Sequence, residues 1–186
     1  MATSFLATTQ TGGFLYPIYD CWIQLGDRPQ DRIDLYALPE LQDSKQATYS
    51  DQPIQGRAAA VKTYSYSSNR TIGCTLHLYV TEQADIKRNL DIIRKIASLT
   101  HPEYQNTYLP PRVARMKCGK LLSEDAAGVP VVLKTYNVSY DTAMQWFYDE
   151  TIGTYMPLHV QISTDWDVVY SWTSLPGAED VIKGNY

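Results

Sequence analysis

The fold is decided by one stretch, residues 61–99, which reads VKTYSYSSNRTIGCTLHLYVTEQADIKRNLDIIRKIASL. Its first part predicts a β-hairpin, with a rising strand over 61–66 and a turn over 68–70. From Thr71 onward, apolar and polar residues alternate without a break, which is the period of a strand with one buried face. The apolar positions of this strand are Ile72, Cys74, Leu76, Leu78 and Val80.

The second part of the stretch predicts one amphipathic helix over residues 82–99, the only long helix of the chain. Thr81 is the expected N-cap, and acidic residues in the first turn complement the positive end of the helix dipole. His101-Pro102 ends the helix. The stripe expected to pack on the sheet consists of Ile86, Leu90, Ile93 and Ala97, with Ile96 beside it.

The rest of the chain is predicted to be strand and loop. Further strands are expected over 19–25, 33–38, 112–118, 120–123, 129–140 and 158–170. Residues 40–60 are interpreted as loop with short extended pieces, and residues 141–156 as a long loop or a bent strand extension. The predicted fold class is therefore mainly β (α+β): a two-sheet sandwich or a small distorted barrel with one flanking helix.

The domain organisation is predicted to be one domain with two arms. Residues 1–15 form an N-terminal arm, residues 16–172 the domain and residues 173–186 a loose C-terminal tail. The arms carry too few apolar residues to offset the backbone entropy of ordering them alone, so we expect them to order against partners. The expected anchors are Phe5, Leu6, Phe14, Leu15, Tyr16, Val181, Ile182 and Tyr186.

The composition excludes several classes of partner. The formal net charge of −4 offers no electrostatic reason to bind nucleic acid, so no sequence-specific nucleic-acid partner is predicted. No run approaches the ~18 apolar residues of a membrane-spanning helix, and the N-terminus does not resemble a secretory signal. We therefore expect the chain to be made and to act in a reducing cytoplasm, or in a particle assembled there. The 15 tyrosines suit either protein–protein surfaces or a β-rich core.

No motif in the sequence predicts catalysis or a cofactor. The three cysteines are far apart and odd in number, which argues against a disulfide framework and against a zinc site. His77 and His159 fall on polar strand faces without the spacing of a metal or nucleophile site, so structural or solvated roles are expected. A hydrolase using His159, or Asp165 with Asp167, is the enzymatic alternative. The prediction is no enzyme, no cofactor and no metal.

The order of short motifs resembles a family, the tube-type proteins in the baseplates of contractile phage tails and related injection systems. The matching motifs are DSKQATY at 43–49, IQGR at 54–57, RT at 70–71 before TLHL at 75–78, YLPPR at 108–112, GKLL at 119–122, VLK at 132–134 with VSYD at 138–141, and DWDVVY at 165–170. The resemblance covers roughly residues 33–172. Members of that family include tube initiators and hub-to-wedge connectors.

This resemblance implies a tail-tube-like fold and a structural role in the virion. The expected partners are copies of the chain itself in a ring, six being expected, with tail tube, hub or spike, and wedge or sheath proteins. The expected location is the tail baseplate, assembled in the host cytoplasm. Two alternatives remain: a hub-to-wedge or hub-to-sheath connector outside the tube, and a carbohydrate- or peptidoglycan-binding β-sandwich. Trp166 and Tyr170 share an apolar strand face, which counts against the sugar binder.

Overall fold

A computed structural model describes residues 16–26, 29–56, 58–102, 109–171 and 175–184. Its strands are β1 (Cys21–Leu25), β2 (Arg32–Asp34), β3 (Glu40–Ser44), β4 (Ala47–Gln52), β5 (Val61–Ser67), β6 (Thr71–Tyr79), β7 (Ala114–Cys118), β8 (Val129–Tyr140), β9 (Trp146–Asp149), β10 (Thr154–Pro157) and β11 (His159–Val168). The α-helices are α1 (Gln83–Ser98) and α2 (Ala178–Ile182), and a 3₁₀ turn spans Pro29–Asp31.

Seven strands form one antiparallel sheet in the order β2-β1-β7-β8-β11-β6-β3. Two pairs, β4–β5 and β9–β10, form separate two-stranded sheets. The described part of the chain thus contains several sheets and a helix against the main one, and its strands do not close into a barrel. The predicted mainly β, α+β fold class is confirmed.

The core lies on the apolar faces of the long strands, as the alternation predicts. Every predicted inward position of β6 is buried. On β11 the inward face runs through Val160, Ile162, Thr164, Trp166 and Val168, and all five are buried. Trp166 is fully enclosed, and its indole Nε1 donates to the Thr164 hydroxyl at 2.8 Å. A polar atom inside the core is therefore satisfied within the same strand.

Helix α1 forms where predicted, but its start and its buried face differ from the prediction. The N-cap is Glu82, not Thr81. The Asp85 carboxylate accepts hydrogen bonds from the Thr81 hydroxyl at 2.6 Å and from the backbone N–H groups of Thr81 and Glu82. Burial by itself raises the pKa of Asp85, but these hydrogen bonds and the Arg88 guanidinium together lower it below its ordinary value.

The buried stripe of α1 is rotated from the predicted one. Its buried apolar residues are Ile86, Ile92 and Ile96, whereas Leu90, Ile93 and Ala97 are only partly buried. A polar residue explains the rotation. Asn89 is fully buried and donates its amide to the carbonyl of Tyr79 at 3.0 Å, which turns this side of the helix toward β6. A search for apolar spacing alone passes over such a contact.

The predicted hairpin between 61–66 and 71–80 is wrong. Strand β5 pairs with β4, while β6 pairs with β3 and β11. At the expected turn the chain bends and continues in the same direction. Ser68 N–H donates to the Gln46 carbonyl at 2.8 Å, and Gln46 N–H donates to the Ser68 hydroxyl at 3.0 Å. Residues 40–52, predicted as mostly loop, supply the partner strands β3 and β4.

Other local predictions are also corrected. The first strand begins at Cys21, two residues after its predicted start, and Tyr19 is 86% exposed. Residues 141–156 were predicted to be a long loop or a bent strand extension. They instead contain strand β9 and the start of β10, which pair as a hairpin. Residues 120–123 form turns and bends rather than a strand. The tail predicted to be loose contains helix α2, and Glu124 N–H donates to the Gly184 carbonyl at 3.3 Å.

Candidate functional site

One exposed surface of the molecule is a two-stranded β-ribbon that continues from two strands of the main sheet. Strands β3 and β6 pair inside the seven-stranded sheet, and beyond the bend their continuations β4 and β5 pair only with each other among the described strands. The register runs from Ala47 opposite Ser67 to Gln52 opposite Val61. We call β4, β5 and the described part of the tip between them, residues 47–56 and 58–67, the projecting ribbon.

The projecting ribbon is exposed along both strands and carries tyrosine on one face. Tyr49 and Tyr64 are opposite each other, 56% and 59% exposed, with their rings edge to face at 5.8 Å. The next opposed pair, Ser50 and Thr63, faces the other way because side chains alternate along a strand. Their hydroxyl groups lie 2.8 Å apart. The ribbon thus has one aromatic and one hydroxyl-bearing face.

An ion pair between a buried arginine and an exposed aspartate holds the base of the ribbon. The Arg70 guanidinium, 4% exposed in its side chain, binds both carboxylate oxygens of Asp43 at 2.5–3.0 Å. It also donates to the carbonyl of Leu122 at 3.1 Å. At the end of the β3–β6 pairing, the hydroxyl groups of Ser44 and Thr71 lie 2.6 Å apart. These contacts fix where the main sheet ends and the projecting ribbon begins.

A second exposed aromatic cluster surrounds the β9–β10 hairpin. Its members are Tyr140, Trp146, Phe147, Tyr148 and Tyr155, each 40–65% exposed. The rings of Tyr148 and Tyr155 lie 4.6 Å apart, and those of Tyr140 and Trp146 lie 6.4 Å apart. A cleft of about 530 Å³ separates this hairpin from the start of α1. We call this group the hairpin aromatic cluster.

The hairpin is anchored to helix α1 through a buried carboxylate. Asp149 is 2% exposed and accepts hydrogen bonds from the Thr151 hydroxyl at 2.6 Å and the Gln83 amide at 2.9 Å. These two side-chain hydrogen bonds lower the pKa of Asp149 below its ordinary value. The carboxylate therefore acts as an acceptor that joins β9 to the first turn of α1.

The structure brings together two histidines that the sequence separated by 82 positions. Nδ1 of His77 lies 3.0 Å from Nε2 of His159, so one ring donates its N–H to the other. Carboxylates flank both ends: Glu40 is 3.4 Å from His77, and Asp141 is 4.0 Å from His159. Tyr79 stacks on the His159 ring, with the ring centroids 5.0 Å apart. The two histidines and Tyr79 thus form one polar and aromatic cluster across the neighbouring strands β6 and β11.

The carboxylates of the hydrolase alternative take part in sheet contacts. Asp165 accepts a hydrogen bond from Thr135 at 2.9 Å, and Asp167 lies 3.5 Å from the Lys134 ammonium. In the described ranges, no group of three or more His, Cys, Asp or Glu side chains is arranged to hold a metal ion. Nor does any described helix combine the length and the apolar composition needed to cross a bilayer.

The predicted arm anchors divide into two groups. Tyr16, Val181 and Ile182 are described, and they are 76%, 43% and 85% exposed. Phe5, Leu6, Phe14, Leu15 and Tyr186 lie outside the described residues. Sequence reasoning missed the projecting ribbon and the hairpin aromatic cluster. The available signal was the density of Tyr in 49–66 and of aromatic residues in 146–155.

Comparison with known proteins adds no identification. No protein-family model matches this chain, and no curated protein matches its sequence.

Proposed function

We propose that this chain is a structural, non-catalytic subunit of a contractile-tail baseplate. It forms or caps the tube at the hub as a ring of copies of itself, and it connects that ring to neighbouring tube, hub, wedge or sheath proteins. The motif order of the sequence supports this role. The single structural observation that carries it is the projecting ribbon, whose two strands pair only with each other among the described strands and are largely exposed.

A ribbon of this kind gains stability when another surface covers it. A two-stranded hairpin alone in water is at best marginally stable, because it buries little apolar surface. The projecting ribbon nevertheless exposes Tyr49, Tyr64 and Tyr66 at 56–60%. Aromatic residues are enriched in the cores of protein interfaces, where they supply large contact area and a polar group. A neighbouring subunit that covers the tyrosine face would stabilise both the ribbon and the assembly.

The main sheet offers a second means of lateral contact. Its two edge strands, β2 and β3, have no further strand beside them in the described part of the chain. Open edges promote sheet-to-sheet association, and a closed ring removes them by pairing each edge with the next copy. The mildly acidic net charge of −4 also suits a lumen through which DNA passes, since like charges repel.

The role itself is tested in particles. Proteomic mass spectrometry of purified tails should find the chain, and deletion of its gene should yield particles without a complete baseplate. Purified, infectious contractile tails that lack the chain would refute the role. Electron microscopy of those particles would also distinguish a subunit in the tube from a connector outside it.

The use of the ribbon is tested separately. Replacing Tyr49 and Tyr64 together with Lys should block incorporation into particles, with little change in the melting temperature of the free chain. Tyr19→Lys is the matched control, because Tyr19 is 86% exposed and lies outside the ribbon. Incorporation of the double variant at the level of the control would exclude the ribbon as the contact surface.

One observation favours a second candidate, the carbohydrate-binding sandwich. Trp146 is 41% exposed beside Tyr140, a pairing that can stack on sugar rings, whereas Trp22 and Trp166 are buried. Titration with soluble peptidoglycan fragments, followed by tryptophan fluorescence, tests it. Saturable quenching that Trp146→Ala abolishes would support sugar binding, and unchanged fluorescence would count against it.

A further inference from the structure

Two cysteines meet in the core at the point where strands β1 and β7 pair. Cys21 lies directly opposite Cys118, and their sulfur atoms are 2.9 Å apart although 97 positions separate them in the sequence. The third cysteine, Cys74, lies on β6, which is not adjacent to either strand in the sheet. The sulfur–sulfur distance is within about 1 Å of a disulfide bond length.

The backbone around the pair has the geometry that a cross-strand bridge requires. Asp20 C=O accepts from Gly119 N–H at 2.8 Å, which makes the flanking pair 20/119 a hydrogen-bonded position. Cys21 C=O points the other way and accepts from Leu35 N–H at 3.1 Å. Cys21 and Cys118 are therefore a non-hydrogen-bonded pair, in which facing Cα atoms are about 4.5 Å apart. Such a separation lies within the range found across disulfides.

We propose that Cys21 and Cys118 are a redox pair, a dithiol under reducing conditions and a cross-strand disulfide when a small-molecule disulfide such as oxidised glutathione is present. One cysteine thiolate attacks a sulfur of the oxidant and expels one glutathione thiolate, giving a mixed disulfide. The second cysteine thiolate attacks the protein sulfur of that mixed disulfide and expels the second glutathione. The two thiol protons of the protein pass to the two glutathione molecules, which are thereby reduced.

The surroundings of the pair make this reaction slow in the folded state. Cys21 and Cys118 are 1% and 5% exposed, so a reagent reaches them only after local opening. Burial, together with the hydrogen bond between the two thiols, raises the pKa of Cys21 far above its usual range. The thiolate needed for attack is therefore scarce. Opening can begin at the adjacent sheet edge, because the edge strand β2 has only three residues and covers β1 from outside.

A bridge here would close a large loop. Cross-linking residues about 100 positions apart removes much of the conformational freedom of the unfolded chain. For a chain of this length, we expect the oxidised form to melt about 10 °C higher than the reduced form. Cys74 serves as an internal reference, because burial raises its pKa to about 12 without a second sulfur opposite it.

The test uses the purified full chain, reduced and freed of reductant. It is incubated with oxidised glutathione in native buffer and in a low, non-denaturing concentration of guanidinium. Titratable thiols under full denaturation should fall from three to one in both arms, faster in the second. Peptide mapping without reduction should link Cys21 to Cys118. Cys74→Ala should form the same bridge, and Cys118→Ala should retain unbridged thiols or carry only glutathione adducts.

Each outcome of this test either supports the redox pair or refutes it. The mapped bridge and the rise in melting temperature, both reversed by dithiothreitol, would establish the pair. Three free thiols in both arms, a bridge that includes Cys74, or glutathione adducts on the wild-type chain without a bridge would overturn it.

Discussion

Removal of Asp43 should destabilise the protein more than removal of its partner Arg70. The reason lies in their unequal burial, since the side chain of Arg70 is 4% exposed and that of Asp43 is 40% exposed. In Asp43→Ala, a buried guanidinium keeps its bond to the Leu122 carbonyl but loses its carboxylate. In Arg70→Met, the carboxylate that remains is already in contact with water.

The magnitudes follow from this difference. Breaking a buried ion pair by removing one partner costs about 3–5 kcal/mol. Because water can reach the Asp43 position, we expect the lower end, about 3 kcal/mol, for Asp43→Ala. Arg70→Met keeps most of the buried stem and loses charge-assisted hydrogen bonds, which cost about 2 kcal/mol. The double variant should lose about 2 kcal/mol as well, because the buried guanidinium is removed together with its carboxylate.

The assay is urea unfolding followed by tryptophan fluorescence and circular dichroism, which gives the free energy of unfolding of all four proteins. The distinctive result is that Arg70→Met partly restores the stability of Asp43→Ala, so the two effects are not additive. Two results would refute this prediction: a loss in the double variant equal to the sum of the single losses, or a larger loss for Arg70→Met than for Asp43→Ala. Lys62→Met, which removes an exposed partner of Asp51 at 3.8 Å, is the control and should change stability by less than about 1 kcal/mol.

Three further predictions concern the helix, a turn and an acid-sensitive carboxylate. Ile96→Ala should cost about 3 kcal/mol in the free energy of unfolding and Leu90→Ala less than half of that, because Ile96 is fully buried and Leu90 only partly. Equal losses in urea unfolding would contradict the burial of α1 described above. Gly128→Ala should cost at least twice the ~1 kcal/mol of Gly153→Ala. Both glycines have positive φ, but a Cβ at Gly128 would lie 2.7 Å from a backbone oxygen, and at Gly153 it meets no described atom within 4 Å; similar melting temperatures would contradict this. Asp85→Asn should lower stability at pH 7 and flatten the loss of stability in acid. The pKa of Asp85 in the folded state lies below the ordinary 3.8. The stability that its carboxylate contributes is therefore present above pH 3.8 and is lost as the pH falls through the folded pKa. Parallel stability profiles of the variant and the wild type against pH would refute this prediction.

The sequence by itself predicted the long elements whose pattern repeats over many residues. Strands β6 and β11 bury every second residue, and β8 spans the predicted Val129–Tyr140. Helix α1 also lies within its predicted bounds. Such patterns are local, because contact with the core or with water alternates every two residues in a strand and every three to four in a helix. The fold class follows from them.

Strand partners could not be predicted in this way. Backbone hydrogen bonds in a ladder are alike for every sequence, so alternation tells which face is buried but not which strand lies beside it. The turn signals at Ser68-Asn69 favoured a hairpin between β5 and β6. Pairing with residues 40–52, held by Arg70 and Asp43, prevailed over them. The projecting ribbon is a consequence of that choice.

The close pairs of side chains depended on the register of the sheet. His77 meets His159 only because β6 and β11 are neighbours in one register, and a shift by one residue would turn one ring to the other face. Cys21 meets Cys118 only because β1 is placed next to β7. The sequence determined which residues of the long strands β6 and β11 are buried, since that depends on each strand's own alternation. The tertiary structure decided which residues meet, since that depends on contacts 82 and 97 positions apart in the chain.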